Sequence, residues 1–156
     1  MFKINTPAEL LSSFRPEERA AVELPEDIRF PLVVRDYLAW TETSGSRVFL
    51  LFADADPRKP LGVVFKREAS SGGAVAQMCE WCHTTSGGDG VTLLTAWASS
   101  RRRVGVQVCR DLSCAQKVLG LYGPAHAGEQ RVGPDGRERI RQIMRRMSEF
   151  SRRHLF

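Results

Sequence analysis

Two short cysteine pairs constrain this chain more than anything else in it. Its four cysteines fall as Cys79-Glu80-Trp81-Cys82 and Cys109-Arg110-Asp111-Leu112-Ser113-Cys114, with 26 residues between the pairs. A two-residue spacer lets the amides of a tight turn face the sulfurs while both thiolates point at one centre. Two such pairs complete a tetrahedral zinc site of four thiolates. The second spacer is longer, and its Asp111-Leu112-Ser113 reads as a helix start. Cys109 is then expected to end a strand or turn, and Cys114 to enter the first helical turn, where unpaired amides and the helix dipole favour a thiolate. The residues expected to hold Zn2+ are Cys79, Cys82, Cys109 and Cys114.

Other uses of four cysteines fit less well. The opening Met1-Phe2-Lys3-Ile4-Asn5-Thr6-Pro7 has no long apolar core behind a basic head, and Glu9 interrupts the next stretch. No secretory signal is expected, and a reducing cytoplasm disfavours disulfides. A redox dithiol needs its motif to open a helix after a strand. Ala74-Val75-Ala76-Gln77-Met78 leads in suitably, but Thr84-Thr85-Ser86-Gly87-Gly88 comes directly after and permits no helix. A catalytic zinc keeps one position open for water, and four thiolates leave none, so the metal is expected to hold the fold and do no chemistry. His83, beside Cys82, is the one competing ligand and reads as a loop histidine because the tetrahedron is already full. His126 and His154 have no partner spacing that suggests a ligand or a base.

The order of elements around the cysteines sets the fold class. Val91-Thr92-Leu93-Leu94-Thr95-Ala96-Trp97 and Val104-Gly105-Val106-Gln107-Val108 flank a Ser/Arg-rich tip and predict a hairpin that runs into Cys109. Ser113 to Leu119 predicts a helix that stops at Gly120. Knuckle, hairpin, then a helix carrying the last ligand is the order of a treble-clef zinc finger. Upstream, Val48-Phe49-Leu50-Leu51-Phe52 and Leu61-Gly62-Val63-Val64-Phe65, separated by turn residues from Asp54 to Pro60, predict another antiparallel hairpin with both faces covered. Thr6-Pro7-Ala8-Glu9 predicts a capped helix start, and prolines 16, 25 and 31 keep the opening segment to short helices and loops. At the other end, Ile140, Ile143, Met144, Met147 and Phe150 line one face of a helix from Arg137 to about Arg153, with arginine opposite. Residues 70–73 and 120–136 read as glycine-rich loops. The expected architecture is α+β: antiparallel hairpins, a treble-clef finger, and a C-terminal amphipathic helix packed on the sheet. Residues 1–34 are expected as short helices and loops and 35–156 as the finger domain, together one compact unit.

Charge is unevenly spread. Residues 1–100 carry 10 Lys+Arg against 13 Asp+Glu, whereas residues 101–156 carry 13 against 5. Arg101-Arg102-Arg103 forms one cluster, and Arg131, Arg137, Arg139, Arg141, Arg145, Arg146, Arg152 and Arg153 another. Such a field attracts RNA, ribosomes or an acidic protein surface. The hydrophobic fraction is 42%, with no run of 18 apolar residues to span a bilayer, so no membrane partner is expected.

Certain phrases resemble a known family. Asp36-Tyr37-Leu38-Ala39-Trp40, Leu61-Gly62-Val63-Val64, Met78-Cys79-Glu80-Trp81-Cys82-His83 and Val108-Cys109-Arg110-Asp111-Leu112-Ser113-Cys114 are similar to the treble-clef domain of the elongation-factor-G-binding proteins. That family includes the FusB-type fusidic acid resistance proteins. The resemblance implies a cytoplasmic bacterial protein that binds elongation factor G, and the same four cysteines as zinc ligands. Resistance members free the factor when the drug has locked it on the ribosome. They carry a helical bundle ahead of the finger, whereas about 35 residues precede Asp36 here, so factor binding is the expectation carried over.

Three function classes compete. The first is a zinc-stabilised module that binds a translation factor at the ribosome, with Glu80, Trp81, Arg101, Arg102 and Arg103 as expected partner-binding residues. The second is an RNA- or ribosome-binding finger using the basic half on rRNA, although Trp97 and Tyr122 are the only aromatic platforms near its clusters. The third, an enzyme, lacks an assembled site. Gly87-Gly88-Asp89-Gly90 has no lysine or helix for a phosphate cradle, and Asp54 and Asp56 read as turn residues. No catalytic residue is expected.

Overall fold

The apolar runs become strands and the capped segments become helices. The computed structural model describes residues 1–69, 75–86, 90–120 and 134–156. Contacts divide the chain into two compact units, Met1–Lys66 and Arg67–Phe156. The glycine segment at 70–73, most of the Gly87-Gly88-Asp89-Gly90 run, and residues 121–133 with Tyr122, His126 and Arg131 lie outside the described residues.

The first unit opens with strand β1 (Phe2–Ile4) and helix α1 (Pro7–Ser12). The Thr6 hydroxyl accepts the Glu9 amide at 3.1 Å, and the Glu9 carboxylate accepts the Asn5 amide at 2.8 Å, which satisfies donors on both sides of the helix start. A 3-10 turn comes next, over Pro16–Ala21. Strand β2 (Leu32–Val34) then pairs antiparallel with β1, Phe2 opposite Val34. This pairing corrects the expectation that the opening segment holds only helices and loops. Three residues are too few to show a strand's alternation, and the partners come from opposite ends of the segment.

Strands β3 (Tyr37–Thr41), β4 (Arg47–Phe52) and β5 (Leu61–Arg67) form an antiparallel meander, with Trp40 opposite Phe49 and Phe49 opposite Val64. In β4 every residue after Arg47 is buried, as its unbroken apolarity requires. The core of the unit gathers Phe2, Ile4, Leu10, Phe14, Val34, Phe49 and Leu51. Phe14 stands edge-on to Trp40 and Phe49, with centroids 6.2 and 6.5 Å away. Asp56 serves the turn before β5, where its carboxylate accepts the Arg58 amide at 2.9 Å.

The second unit contains strands β6 (Gln77–Met78), β7 (Thr85–Ser86), β8 (Val91–Trp97) and β9 (Arg103–Cys109), then helices α2 (Cys114–Val118) and α3 (Pro134–His154). β6 and β7 pair across the first cysteine loop, and β8 and β9 form the expected hairpin, with Val91 opposite Cys109 and Trp97 opposite Arg103. α2 ends as its sequence specifies: Gly120, at φ 72°, donates its amide to the Lys117 carbonyl at 3.1 Å. Along α3, Ile140, Ile143 and Met147 of the expected stripe are buried and Met144 and Phe150 half-buried; Ser151 continues the stripe, and Leu155, just past the helix end, is buried too. The stripe's neighbours include α2 and the first cysteine loop. No helix of the described residues is long and apolar enough to cross a membrane.

Candidate metal centre

Each sulfur arrives on a differently made piece of backbone. Cys79 lies just after β6, and its loop closes through its amide on the Thr84 carbonyl (3.0 Å) and the His83 amide on its own carbonyl (2.9 Å). The Cys82 amide turns inward and reaches the Cys79 sulfur at 3.4 Å. Cys109 is the last residue of β9 and Cys114 the first of α2, the placements expected from sequence. The turn between them is set by Leu112, whose amide donates to the Cys109 carbonyl at 3.0 Å, and by Asp111, whose carboxylate accepts the Ser113 amide at 3.1 Å. Both loops contain a non-glycine residue in the left-handed region, His83 at φ 61° and Leu112 at φ 57°.

The four sulfurs converge. Cys79 Sγ lies 3.7 Å from Cys114 Sγ, Cys82 Sγ 3.5 Å from Cys109 Sγ, and all four stay within 4.8 Å of one another. A tetrahedron of sulfurs about 2.3 Å from a zinc ion has edges of about 3.8 Å, so the spacing suits that ion. All four cysteines are buried and none is in a disulfide.

Their protonation also calls for a cation. Hydrogen bonds from Cys109 and then Cys114 hold the Cys79 thiol down to about 7, and Cys109 first among the others pulls Cys82 below its ordinary value. The Cys114 thiol is pushed up, first by its bond to Cys109, then by Cys79, Cys82 and burial. Cys109 is pulled down by Cys114 but raised on balance by Cys79, Cys82 and burial. Four thiolates side by side repel one another and need a counter-charge. A divalent ion supplies it, and the donor set fits zinc.

Lys117 is not among the residues expected from sequence. Its ammonium donates to Cys109 Sγ at 3.4 Å. Burial disfavours its charge, but attraction to Cys109 and their hydrogen bond outweigh burial, and its pKa is raised. The chain does carry a signal for it: Lys117 lies three residues after ligand Cys114 and so shares its helix face.

The expected partner-binding residues separate into different roles. Glu80 is exposed, yet its carboxylate accepts the Gln107 amide at 2.6 Å while its own amide donates to the Gln107 carbonyl at 2.8 Å. It fastens the cysteine loop to β9. Trp81 is 2% exposed, which corrects the expectation that its ring faces a partner. It meets the Phe150 ring of α3 edge-on at 6.2 Å, and its carbonyl accepts from Arg146 at 2.6 Å. Burying the largest apolar side chain of the loop gains more than exposing it. Arg101 and Arg102 are exposed at the β8–β9 tip. Arg103 is half-buried, pairs with Glu68 at 3.4 Å and lies 4.9 Å over the Trp97 ring. His83 is exposed and stands outside the sulfur cluster.

Two pinned loops, a hairpin between them and a helix bearing the fourth sulfur define a treble-clef zinc finger. The chain belongs to the family described as FBP C-terminal treble-clef zinc-finger, whose model matches residues 10–153. Among solved structures, the fusidic acid resistance protein FusC is similar to it at 17% identity and a TM-score of 0.46, over 71% of this chain and 52% of FusC. The chain thus spans about half the length of that relative. No curated protein matches the sequence.

Proposed function

We propose that this chain is a non-catalytic docking module, stabilised by zinc, that binds elongation factor G in the cytoplasm. The observation that carries the metal's role is the closed, buried set of four sulfurs, which leaves no position for water or substrate. When bound, the ion supplies a cross-link between the two cysteine loops, and Lys117 offsets part of the thiolate charge. Family membership supports the choice of partner. A rigid finger binds with little ordering cost, because its loops and hairpin are set before the partner arrives.

The test is capture of purified elongation factor G by the purified, zinc-loaded chain, with and without ribosomes and after ribonuclease treatment. Saturable binding to the factor alone is the expected result. If the only captured partner disappears with the RNA, the factor-binding reading fails. A second reading, direct binding to ribosomal RNA, draws on the exposed Arg101 and Arg102 and on the exposed Arg137, Arg139, Arg141, Arg145, Arg152 and Arg153 of α3. It predicts affinity that falls steeply with salt as phosphate contacts are lost, which a hydrophobic contact does not show.

A further inference from the structure

The β8–β9 hairpin largely buries one face, whereas its other face is buried only at the cysteine end, by Val91 and Cys109, and opens toward the tip. Along β8, Thr92, Leu94 and Ala96 are buried, while Leu93 and Trp97, on the alternate positions, are 43% and 47% exposed. Two large apolar side chains in one row on a rigid strand are not needed by the core. Across from Thr95, Gly105 contributes no side chain. A Cβ there would stand 3.0 Å from Leu93 Cδ1, so the glycine leaves room for Leu93 to lie flat over the hairpin. The Trp97 ring is held in place: the Arg103 guanidinium lies over it and is itself fixed by the Thr95 hydroxyl and the Glu68 carboxylate.

Charge completes the surface. No Asp or Glu occurs from Val91 to Cys109, and Glu68 is matched to Arg103, so the exposed Arg101 and Arg102 leave the tip positive. We infer that the open part of this face, with Leu93 and Trp97 as its apolar row and Arg101 and Arg102 at the tip beyond them, is where the chain docks an acidic protein surface. The inference rests on the elongation-factor reading and supplies its contact surface. Arginines at the tip draw an acidic partner in and set the association rate; the apolar row sets how long it stays. RNA is the less suited occupant. Single-stranded binders stack successive bases on several aromatics, whereas this face has one, with an arginine already over one side of its ring.

Two full-length variants test it, Trp97→Ala and the double variant Arg101→Glu with Arg102→Glu, both zinc-loaded and measured against purified elongation factor G. Trp97→Ala is expected to weaken binding about tenfold or more through faster dissociation. The double variant is expected to slow association and flatten its salt dependence. Zinc content should stay at the unaltered value in both variants, and the melting temperature should fall by no more than a few degrees, in Trp97→Ala, where the contact with Arg103 is lost. If the unaltered chain and both variants bind alike, the surface is wrong and the elongation-factor reading stands. If the unaltered chain does not bind the factor, that reading fails and the surface with it. Binding of a single-stranded oligouridine probe that Trp97→Ala abolishes, with factor binding intact, would overturn the surface in favour of nucleic acid.

Discussion

Lys117 touches a sulfur of the cluster, His83 stands outside the four-sulfur set, and the two make opposite predictions. Four thiolates around a divalent ion retain about two negative charges, and Lys117 is the cation bonded to one of them. Replacing it as Lys117→Met removes the charge and keeps the stem, so zinc should be lost to a competing chelator with an affinity on the order of tenfold weaker. Titration with a zinc indicator reads this directly, and an unchanged affinity would show that Lys117 merely lies nearby. His83, in contrast, holds a left-handed backbone conformation that strains a side-chain-bearing residue by about 1–2 kcal/mol, partly offset by glycine's greater entropy cost. His83→Gly should therefore leave zinc stoichiometry at one and be neutral or stabilising by up to about 1 kcal/mol in a chemical melt. Loss of zinc in that variant would make the histidine a ligand after all. Trp81 marks the limit of residue-level reading: its place between two ligands says that it lies close to the metal, while its direction depends on Phe150 in a distant helix.

At the scale of elements, legibility tracks locality. The β8–β9 hairpin, the start of α2 at Cys114 and its end at Gly120 are readable because each is specified within a few residues by alternation, spacing or a required positive φ. The β4–β5 hairpin is readable for the same reason. The β1–β2 pair is not, since its information is in the match between two three-residue segments. Nor can sequence show that Glu80 takes up an amide of β9, because an exposed carboxylate beside a ligand looks the same whether it meets a partner or a strand edge. Gly62 is a contact of this non-local kind. Its amide donates to the Ser13 carbonyl at 2.8 Å, and a Cβ on it would stand 2.6 Å from the Phe14 ring. Phe14 cannot simply give way, as Trp40 and Phe49 flank it. Gly62→Ala is expected to cost about 1–3 kcal/mol of stability by overpacking while zinc content stays unchanged. A denaturant melt scored with metal analysis checks both halves, and an unaltered midpoint would mean that the bend carrying Phe14, just after α1, is free to shift.

For the whole molecule, the two units depend on different sources of stability. The core of Met1–Lys66 is built from aliphatic and aromatic side chains without a cysteine. In Arg67–Phe156 the four ligands themselves are among the buried residues, alongside Trp81, Leu112 and Val118. Structural zinc contributes on the order of 10 kcal/mol or more to a small finger, comparable with the roughly 5–15 kcal/mol that stabilises an entire domain. Chelation should therefore unfold the second unit, and hydrogen exchange should show it unit by unit. After zinc is stripped, amides of β8, β9 and α2 are expected to exchange at nearly unprotected rates, whereas those pairing β3 with β4 should keep most of their protection. Serine at Cys82 or Cys109 should reproduce the stripped pattern without chelator, because three sulfurs cannot close the tetrahedron. Protection of β9 and α2 that survives complete metal loss would show that apolar packing alone holds the finger. The ion would then be an accessory to the fold of this unit and not its foundation.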